Sequence, residues 1–114
     1  MSNSLGFFNT NLLKLLTHKI SYLQASAFQA SRNVSQADMP EAKRREMKPF
    51  DKVIKKTGKN IDMDLRQSDV VNTSEQINRE SEVLNLQNIA MEYQSLIHIY
   101  KRYHDMIRLM IGKG

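Results

Sequence analysis

Apolar residues recur at alternating intervals of three and four in two stretches of the chain, one near each end. In the first stretch these positions are Leu13, Leu16, Ile20, Leu23, Ala27, Ala30 and Val34. In the second stretch they are Leu86, Ile89, Tyr93, Leu96, Tyr100, Tyr103, Ile107 and Met110. Such spacing places one continuous apolar seam along a helix, as in coiled coils. The pattern therefore predicts an N-terminal helix over residues 9–34 and a C-terminal helix over residues 74–112.

The ends of both predicted helices carry residues that start or stop helices. The segment 9–11, Asn-Thr-Asn, offers caps for the first helix. Pro40 disfavours helical backbone at the residue before it, so the first helix should end by that point. Thr73 followed by Gln76 fits a capping box for the second helix, and Gly112 is a typical stop.

The segment between the helices, residues 35–73, is polar and interrupted by Pro40 and Pro49. It carries a basic tract made of Lys43, Arg44, Arg45, Lys48, Lys52, Lys55, Lys56 and Lys59. Local patterns allow a short helix over 50–56, stopped by Gly58, and one short strand through Ile61, Met63 and Leu65. Because its apolar content is too low for a separate core, we interpret the segment as a loop or small flap.

These patterns together predict an all-α fold. The 114 residues form a single unit in which the two long helices pair as an antiparallel, coiled-coil-like hairpin joined by a partly irregular middle. Apolar residues also flank the second seam, at Ala90, Ile97, Ile99, Met106 and Ile111. A stripe this wide exceeds what one partner helix covers, which indicates a helix that touches several neighbours. We interpret the chain as a subunit that polymerises.

Composition narrows the remaining choices. The chain has 17 basic and 12 acidic residues, so its net charge of +5 is too mild to identify an anionic partner. Cysteine is absent, which excludes disulfides, thiolate nucleophiles and cysteine-based zinc sites. No apolar run is long enough to span a bilayer. The N-terminus lacks the basic region of a cleavable secretory signal, so we expect no such signal.

Candidate chemistry is sparse, and the sequence favours a protein without enzymatic activity, cofactor or small-molecule ligand. His98 and His104 are six residues apart and fall on different helix faces, whereas two helical metal ligands normally lie three or four apart. Glu80 and Glu82 are two apart, which also separates them on a helix. There is no Gly-rich phosphate loop and no nucleophile with a base. We therefore predict no catalytic, metal or cofactor site.

Two segments at opposite ends of the chain resemble flagellar rod and hook proteins. In segment 31–40, SRNVSQADMP, five residues match the family motif in identity and spacing: Asn33, Val34, Ala37, Asp38 and Pro40. Glu41 and Ala42 stand where the family has Gly and Tyr. Segment 77–82, INRESE, resembles the family's entry to its last helix, and Tyr93-Gln94 and Ile111-Gly112 fall at family-like spacing. The short middle points to the proximal rod proteins within this family.

The resemblance implies a structural role in the rod of the bacterial flagellar basal body, which crosses the periplasm and transmits torque from the inner-membrane ring to the hook. It implies export through the flagellar type III apparatus without a cleavable signal, and polymerisation through the terminal helices. The partners so implied are copies of the chain, other rod subunits, the ring–rod adaptor, the inner-membrane ring and the export apparatus. No nucleic acid is expected.

Three alternatives stay open at the level of sequence. The chain resembles other small axial components as well, such as a second proximal rod protein or the ring–rod adaptor. A helical-hairpin dimer that binds nucleic acid through the basic tract 43–59 belongs to a different class, although Phe50 is the only aromatic residue within the tract. An N-terminal segment, Leu5-Gly6-Phe7-Phe8, is suited to inserting at a membrane surface.

Overall fold

A computed structural model describes the backbone of residues 2–58 and 60–112 and the side chains of residues 11–58 and 60–112. In chain order the elements are α1 (Ser2–Ser35), β1 (Lys43–Met47), α2 (Phe50–Val53), β2 (Ile54–Thr57), β3 (Asn60–Met63), a 3-10 turn (Gln67–Asp69), β4 (Val70–Gln76) and α3 (Arg79–Gly112). The molecule is elongated and measures 61 × 28 × 14 Å. Its long dimension follows from helices of 34 residues, which are each about 50 Å long.

The all-α prediction is wrong, because the middle of the chain forms β-structure. β1 pairs with β4 and β2 pairs with β3, which gives two antiparallel sheets of two strands each. Each sheet is small and only partly buried, so its strands need few apolar residues. The weak alternation in the sequence therefore hid all of the strands except β3. Their backbone hydrogen bonds and their contact with α1 replace the separate core that the segment lacks.

The predicted elements of the middle segment also differ in detail. The short helix stops at Val53, and Ile54 already begins β2. Gly58 turns the chain between β2 and β3 with a positive φ of 61°, a conformation that glycine adopts without strain. β3 contains the predicted strand residues Ile61 and Met63, whereas Leu65 lies beyond its end.

The C-terminal helix starts later than the capping-box pattern predicted. Thr73 lies within β4, where its hydroxyl donates a hydrogen bond to the carbonyl oxygen of Arg44 at 2.7 Å. The side-chain oxygen of Asn78 instead accepts a hydrogen bond from the backbone N–H of Ser81 at 3.0 Å. This contact satisfies one of the free N–H groups at the start of a helix, so the helix begins at Arg79.

α1 is the central element of the fold. It packs along α3 on one side, and β1 and β3 lie against another side. The two long helices run antiparallel: Arg79 at the start of α3 pairs with Asp38 just beyond the end of α1, and Lys19 pairs with Glu92 further along. Among the described side chains, the buried apolar residues come from the two long helices and α2, and they are Leu16, Leu23, Ala30, Val53 and Tyr103. α1 is thus covered on more sides than α3.

Candidate assembly surface

The structure brings the two predicted seams together between α1 and α3. On α1, Leu16, Leu23 and Ala30 are buried. Leu13, Ile20, Ala27 and Val34 are half-buried, as are Leu86, Ile89, Tyr93, Leu96, Tyr100 and Ile107 on α3. Tyr103 is buried, and the burial of its ring raises the pKa of its hydroxyl. Met110 differs from the others because it remains 50% exposed. The seam positions of both helices are thus buried or half-buried, with Met110 as the exception.

Asn33, one of the residues on which the resemblance to rod and hook proteins was based, joins α1 to the sheet. Its side chain is fully buried and pairs with both backbone groups of Arg45: the amide donates to the carbonyl oxygen at 2.7 Å, and the side-chain oxygen accepts from the N–H at 3.0 Å. Arg32 donates to that same oxygen and to the carbonyl oxygen of Lys43. A carboxamide holds N–H donors and an oxygen acceptor side by side, so it can pair with the outer edge of β1 as a neighbouring strand would.

The remaining residues of that motif surround the turn after α1. Val34 and Ala37 are half-buried, whereas Asp38 and Pro40 are exposed. The carboxylate of Asp38 forms an ion pair with the guanidinium of Arg79, with a nitrogen–oxygen distance of 2.8 Å. This pair holds the turn against the start of α3. Both partners are largely exposed, so this pair contributes little stability by itself. Its geometric effect is to fix where the second helix begins relative to the end of the first.

A buried ion pair, which the sequence reasoning missed, links β1 to α3. Glu82 is only 2% exposed, and its carboxylate accepts a hydrogen bond from Nε of Arg44. The same guanidinium donates to Glu46 at 2.6 Å, and this contact, followed by the one with Glu82, raises the pKa of Arg44. Sequence analysis had assigned Arg44 to a solvated basic tract. The available signal was that Glu82 continues the second seam, four residues before Leu86.

Much of the basic tract is spread along the surface of the middle segment. Lys43, Arg45, Lys52, Lys55 and Lys56 are exposed, whereas Lys59 lies outside the described residues. The ring of Phe50 does not lie on the surface beside these side chains. The tract thus has no described aromatic face beside its exposed lysines on which a nucleic-acid base could stack.

Phe50 instead packs inwards against α1. Its ring meets the ring of Tyr22 edge-on at 5.3 Å, and the ammonium of Lys19 lies 4.6 Å from the centre of the Phe50 ring. The hydroxyl of Tyr22 donates to the carbonyl oxygen of Lys48 at 2.6 Å. Burial of this hydroxyl raises the pKa of Tyr22. These contacts fasten the middle segment lengthwise to α1.

The side of α3 that faces away from α1 carries an exposed line of apolar side chains. We call this line the outer ridge, and it consists of Leu84, Met91, Ile99, Met106 and Leu109. Their exposures range from 48% to 67%, although all are large apolar residues. Their spacings of seven, eight, seven and three residues return to one side of a helix. A monomer gains nothing from such a line in water, which marks this side as an interaction surface.

A groove between α1 and α3 is the second exposed apolar feature. It has a volume of about 320 Å³ and is lined by Leu23, Gln24, Ala27, Leu86, Ile89, Ala90 and Tyr93. It forms because Ala27 and Ala90 are too small to fill the space between the helices. Phe28, next to Ala27 in the chain, is 70% exposed. The lining contains no charged residue, so an apolar side chain could enter without stripping water from a charge.

Other kinds of site receive little support from the described residues. Within residues 11–58 and 60–112, no three His, Asp or Glu side chains are grouped so that they could hold a metal ion. His98 and His104 are both exposed, and His104 lies against the ring of Tyr100. No described helix combines the length and apolarity needed to cross a membrane. The side chains of residues 5–8, considered for membrane insertion, lie outside the described part.

Comparison of the chain with protein-family models, with curated proteins and with solved structures gave no significant match. Its function therefore has to be inferred from its own residues and their geometry.

Proposed function

We propose that this chain is a structural subunit of the proximal rod of the bacterial flagellar basal body. In this role it has no catalytic activity, cofactor or small-molecule ligand. It assembles with copies of itself and with other rod subunits, between the inner-membrane ring and the hook. The flagellar export apparatus delivers it across the inner membrane without a cleavable signal.

The observation that carries the proposal is the outer ridge of α3. The inner side of this helix already has a partner in α1, yet large apolar side chains such as Met91 and Leu109 remain 67% and 64% exposed on the other side. Burying apolar surface stabilises a structure by about 25 cal/mol per Å². In a building block, contact with a neighbouring subunit would bury the ridge in this way. An elongated, helix-rich shape suits a subunit that packs side by side into a wall.

The resemblance to rod and hook proteins gives this assembly a particular setting. The residues Asn33 and Asp38, on which the resemblance was based, lie at the junction of α1, β1 and the start of α3, where Asn33 bonds to β1 and Asp38 pairs with Arg79. A subunit that must present two helices in a fixed relation needs such a junction. Contacts between different surfaces on successive copies build a helical filament when their rotation does not close into a ring, and the rod is such a filament.

The decisive experiment is to locate the protein in the cell. Basal bodies are purified from the source bacterium and probed with an antibody against this chain, while a deletion strain is tested for swimming. We expect the protein in the rod fraction, and we expect loss of motility on deletion. A normally motile deletion strain, or basal bodies without the chain, would reject the proposal.

Variants of the seam refine this experiment. Leu96→Asp and Ile107→Asp each place a charge on a half-buried seam position and should abolish motility while the protein is still expressed. Thr57→Asp, on the exposed tip of the β2–β3 hairpin, is the matched control and should swim normally. Swimming with either seam variant would contradict the role of the helix pair in assembly.

Cross-linking in purified basal bodies separates the proximal rod from the other axial positions. A proximal rod subunit should cross-link to copies of itself and to the ring–rod adaptor. Cross-links confined to the inner-membrane ring and a single rod protein would identify the chain as the adaptor itself. Both results keep the chain in the axial structure, but only the first supports the position proposed here.

A further inference from the structure

The outer ridge and the groove lie on different sides of the helix pair but at the same height along its axis. Contacts between the helices define this height: Lys19 pairs with Glu92, and Gln24 donates a hydrogen bond to Tyr93. Because the helices run antiparallel, the groove lies level with segment 86–93 of α3. The ridge residue Met91 falls within that segment.

We propose that the outer ridge of one copy docks into the groove between α1 and α3 of the next copy, with Met91 entering over Ala27 and Ala90. This inference rests on the proposed role as an assembling subunit and names the two surfaces that meet. The occupant of the groove is a second copy of the chain, displaced sideways with little shift along the long axis.

Size and polarity match between the two surfaces. The groove has a volume of about 320 Å³ and two small alanines in its lining, so it has room for a long, flexible side chain. Methionine fills irregular apolar gaps well because it is unbranched. Between Leu84 and Met91 the ridge is interrupted by the uncharged Asn88, and the groove lining is uncharged too. Docking therefore desolvates no charge at the centre of the contact.

The exposed aromatic ring of α1 supports this choice of occupant. Phe28 is 70% exposed, on a side of α1 that neither α3 nor the sheets cover. It follows the groove residue Ala27 in the chain and lies at the height of segment 83–89 of α3. A neighbouring α3 seated over the groove would place its Leu84 and Met91 next to this ring. One contact would then bury exposed apolar residues of both helices.

The contact is heterologous, because each copy offers a ridge on one side and a groove on another. Such a contact leaves both end copies with an unused surface, so association continues from copy to copy. Two ridges packed against each other would instead form a closed dimer and stop. The two arrangements predict different products of cross-linking, which makes the proposal testable on the purified full-length chain.

Single-cysteine variants provide that test, since the natural chain has no cysteine to interfere. Met91→Cys and Gln24→Cys are mixed under mild oxidation, and disulfides form only where Cα atoms come within about 7 Å. We expect the mixed disulfide to form faster than either homodimer, and the double variant to give a ladder of oligomers. Thr57→Cys, on the hairpin tip, should cross-link only at background rate. Rapid homodimers of Met91→Cys alone would overturn the proposal, because they indicate ridge against ridge.

A variant that fills the groove separates docking from general stickiness. Ala90 is exposed, so Ala90→Phe adds apolar surface without disturbing a packed core. We expect self-association, measured by sedimentation velocity, to weaken at least about tenfold because the groove is blocked. Thr57→Phe adds a ring at the exposed hairpin tip, outside both the ridge and the groove, and serves as the control for a general effect. Unchanged or stronger association of Ala90→Phe would contradict the proposal, as would a chain that stays monomeric at all concentrations.

The same measurements distinguish failure of this inference from failure of the proposed function. A chain found in purified rods, but without the cross-link between positions 24 and 91, would reject the docking geometry alone. A chain that forms the cross-linked ladder yet is absent from basal bodies would reject the rod assignment and leave the docking geometry intact.

Discussion

α1 and α3 have the same length, 34 residues each, but their surroundings differ. α1 has α3 on one side and the sheets on another, and Phe28 is its one large apolar residue that is exposed within residues 11–35. α3 is covered chiefly by α1, yet it exposes Val83, Leu84, Met91, Ile99, Met106, Leu109, Met110 and Ile111. Both helices carry a full apolar seam. The difference indicates that α3 is built for neighbours that the single chain does not contain.

The largest expected change in stability comes from a substitution in the apolar seam between α1 and α3. Tyr103→Ala removes a buried ring between the helices, and we expect it to lower the free energy of unfolding by about 3–5 kcal/mol. Met106→Ala on the outer ridge removes a side chain that is 48% exposed, so it should change stability by less than about 1 kcal/mol. Urea denaturation followed by circular dichroism measures both. Equal losses of unfolding free energy in the two variants would mean that both sides of α3 contribute equally to the stability of the monomer.

The second prediction concerns the hydrogen bonds that join α1 to β1. Asn33→Ala leaves the N–H and carbonyl of Arg45 without the side chain that pairs with them. We expect a loss of about 2–4 kcal/mol, since each unsatisfied buried group costs about 1–3 kcal/mol. Asn88→Ala changes the same residue type on the exposed side of α3 and should stay within about 0.5 kcal/mol. A loss below 1 kcal/mol for Asn33→Ala would show that water replaces the side chain.

Replacing Glu82 tests the link between β1 and α3. Glu82→Gln keeps the shape of the side chain but removes the charge facing Arg44. We expect a loss of about 1–3 kcal/mol, lower than for truncation because Arg44 keeps Glu46 as a partner. Glu80→Gln, two residues earlier and exposed, is the control and should have little effect. Thermal unfolding of the two variants beside the natural chain measures the difference.

A pH dependence sharpens the comparison at Tyr22, which joins α1 to the middle segment. Its pKa is raised by burial, so the folded chain holds the phenolic proton more tightly than the unfolded chain does. The associated stability is present below the unfolded pKa near 10 and is lost as the pH rises through the folded pKa. Tyr22→Phe should cost about 1 kcal/mol at pH 7 and should reduce the fall in stability above pH 10. If stability falls equally above pH 10 in Tyr22→Phe and in the natural chain, Tyr22 is not the group responsible for this pH dependence.

The smallest expected effect on stability is at the far end of the outer ridge. Leu109→Ser alters a side chain that is 64% exposed, so unfolding should change by less than about 0.5 kcal/mol. If the chain is the rod subunit proposed above, its incorporation into purified basal bodies should nevertheless fall, because this residue belongs to the proposed assembly surface. A variant that is both stable and fully incorporated would limit the assembly surface to the part of the ridge before residue 109.

The local sequence pattern predicted burial well within the two long helices, where a residue's position in the helical repeat places it on one side of the helix. The spacing of Leu16, Leu23 and Tyr103 predicted which side of each helix is buried, because a helix repeats every 3.6 residues whatever it packs against. The outer apolar flank at Ile99 and Met106 was visible for the same reason. The match of Asn33 and Asp38 to the rod and hook motif drew attention to the junction, but it did not tell what their side chains contact.

All strands except β3 were missed because their stability comes from elsewhere in the chain. β4 is held by β1, which lies more than 20 residues earlier, and β1 in turn is held by the side chain of Asn33. Short pairs of strands with one exposed side need little apolar sequence, so local composition resembles that of a loop. The capping-box pattern at Thr73 failed for a related reason, since pairing with β1 outweighed a local preference for starting a helix.

The sequence by itself determined the two long helices, their mutual seam and the excess of apolar surface on the second, because helical periodicity is a local property. Only the tertiary structure decided the β-structure, the buried contact of Arg44 with Glu82 and the groove above Ala27 and Ala90. Each of these brings together residues far apart in the chain. Their energies depend on burial and on hydrogen-bond geometry, which exist only after the chain has folded.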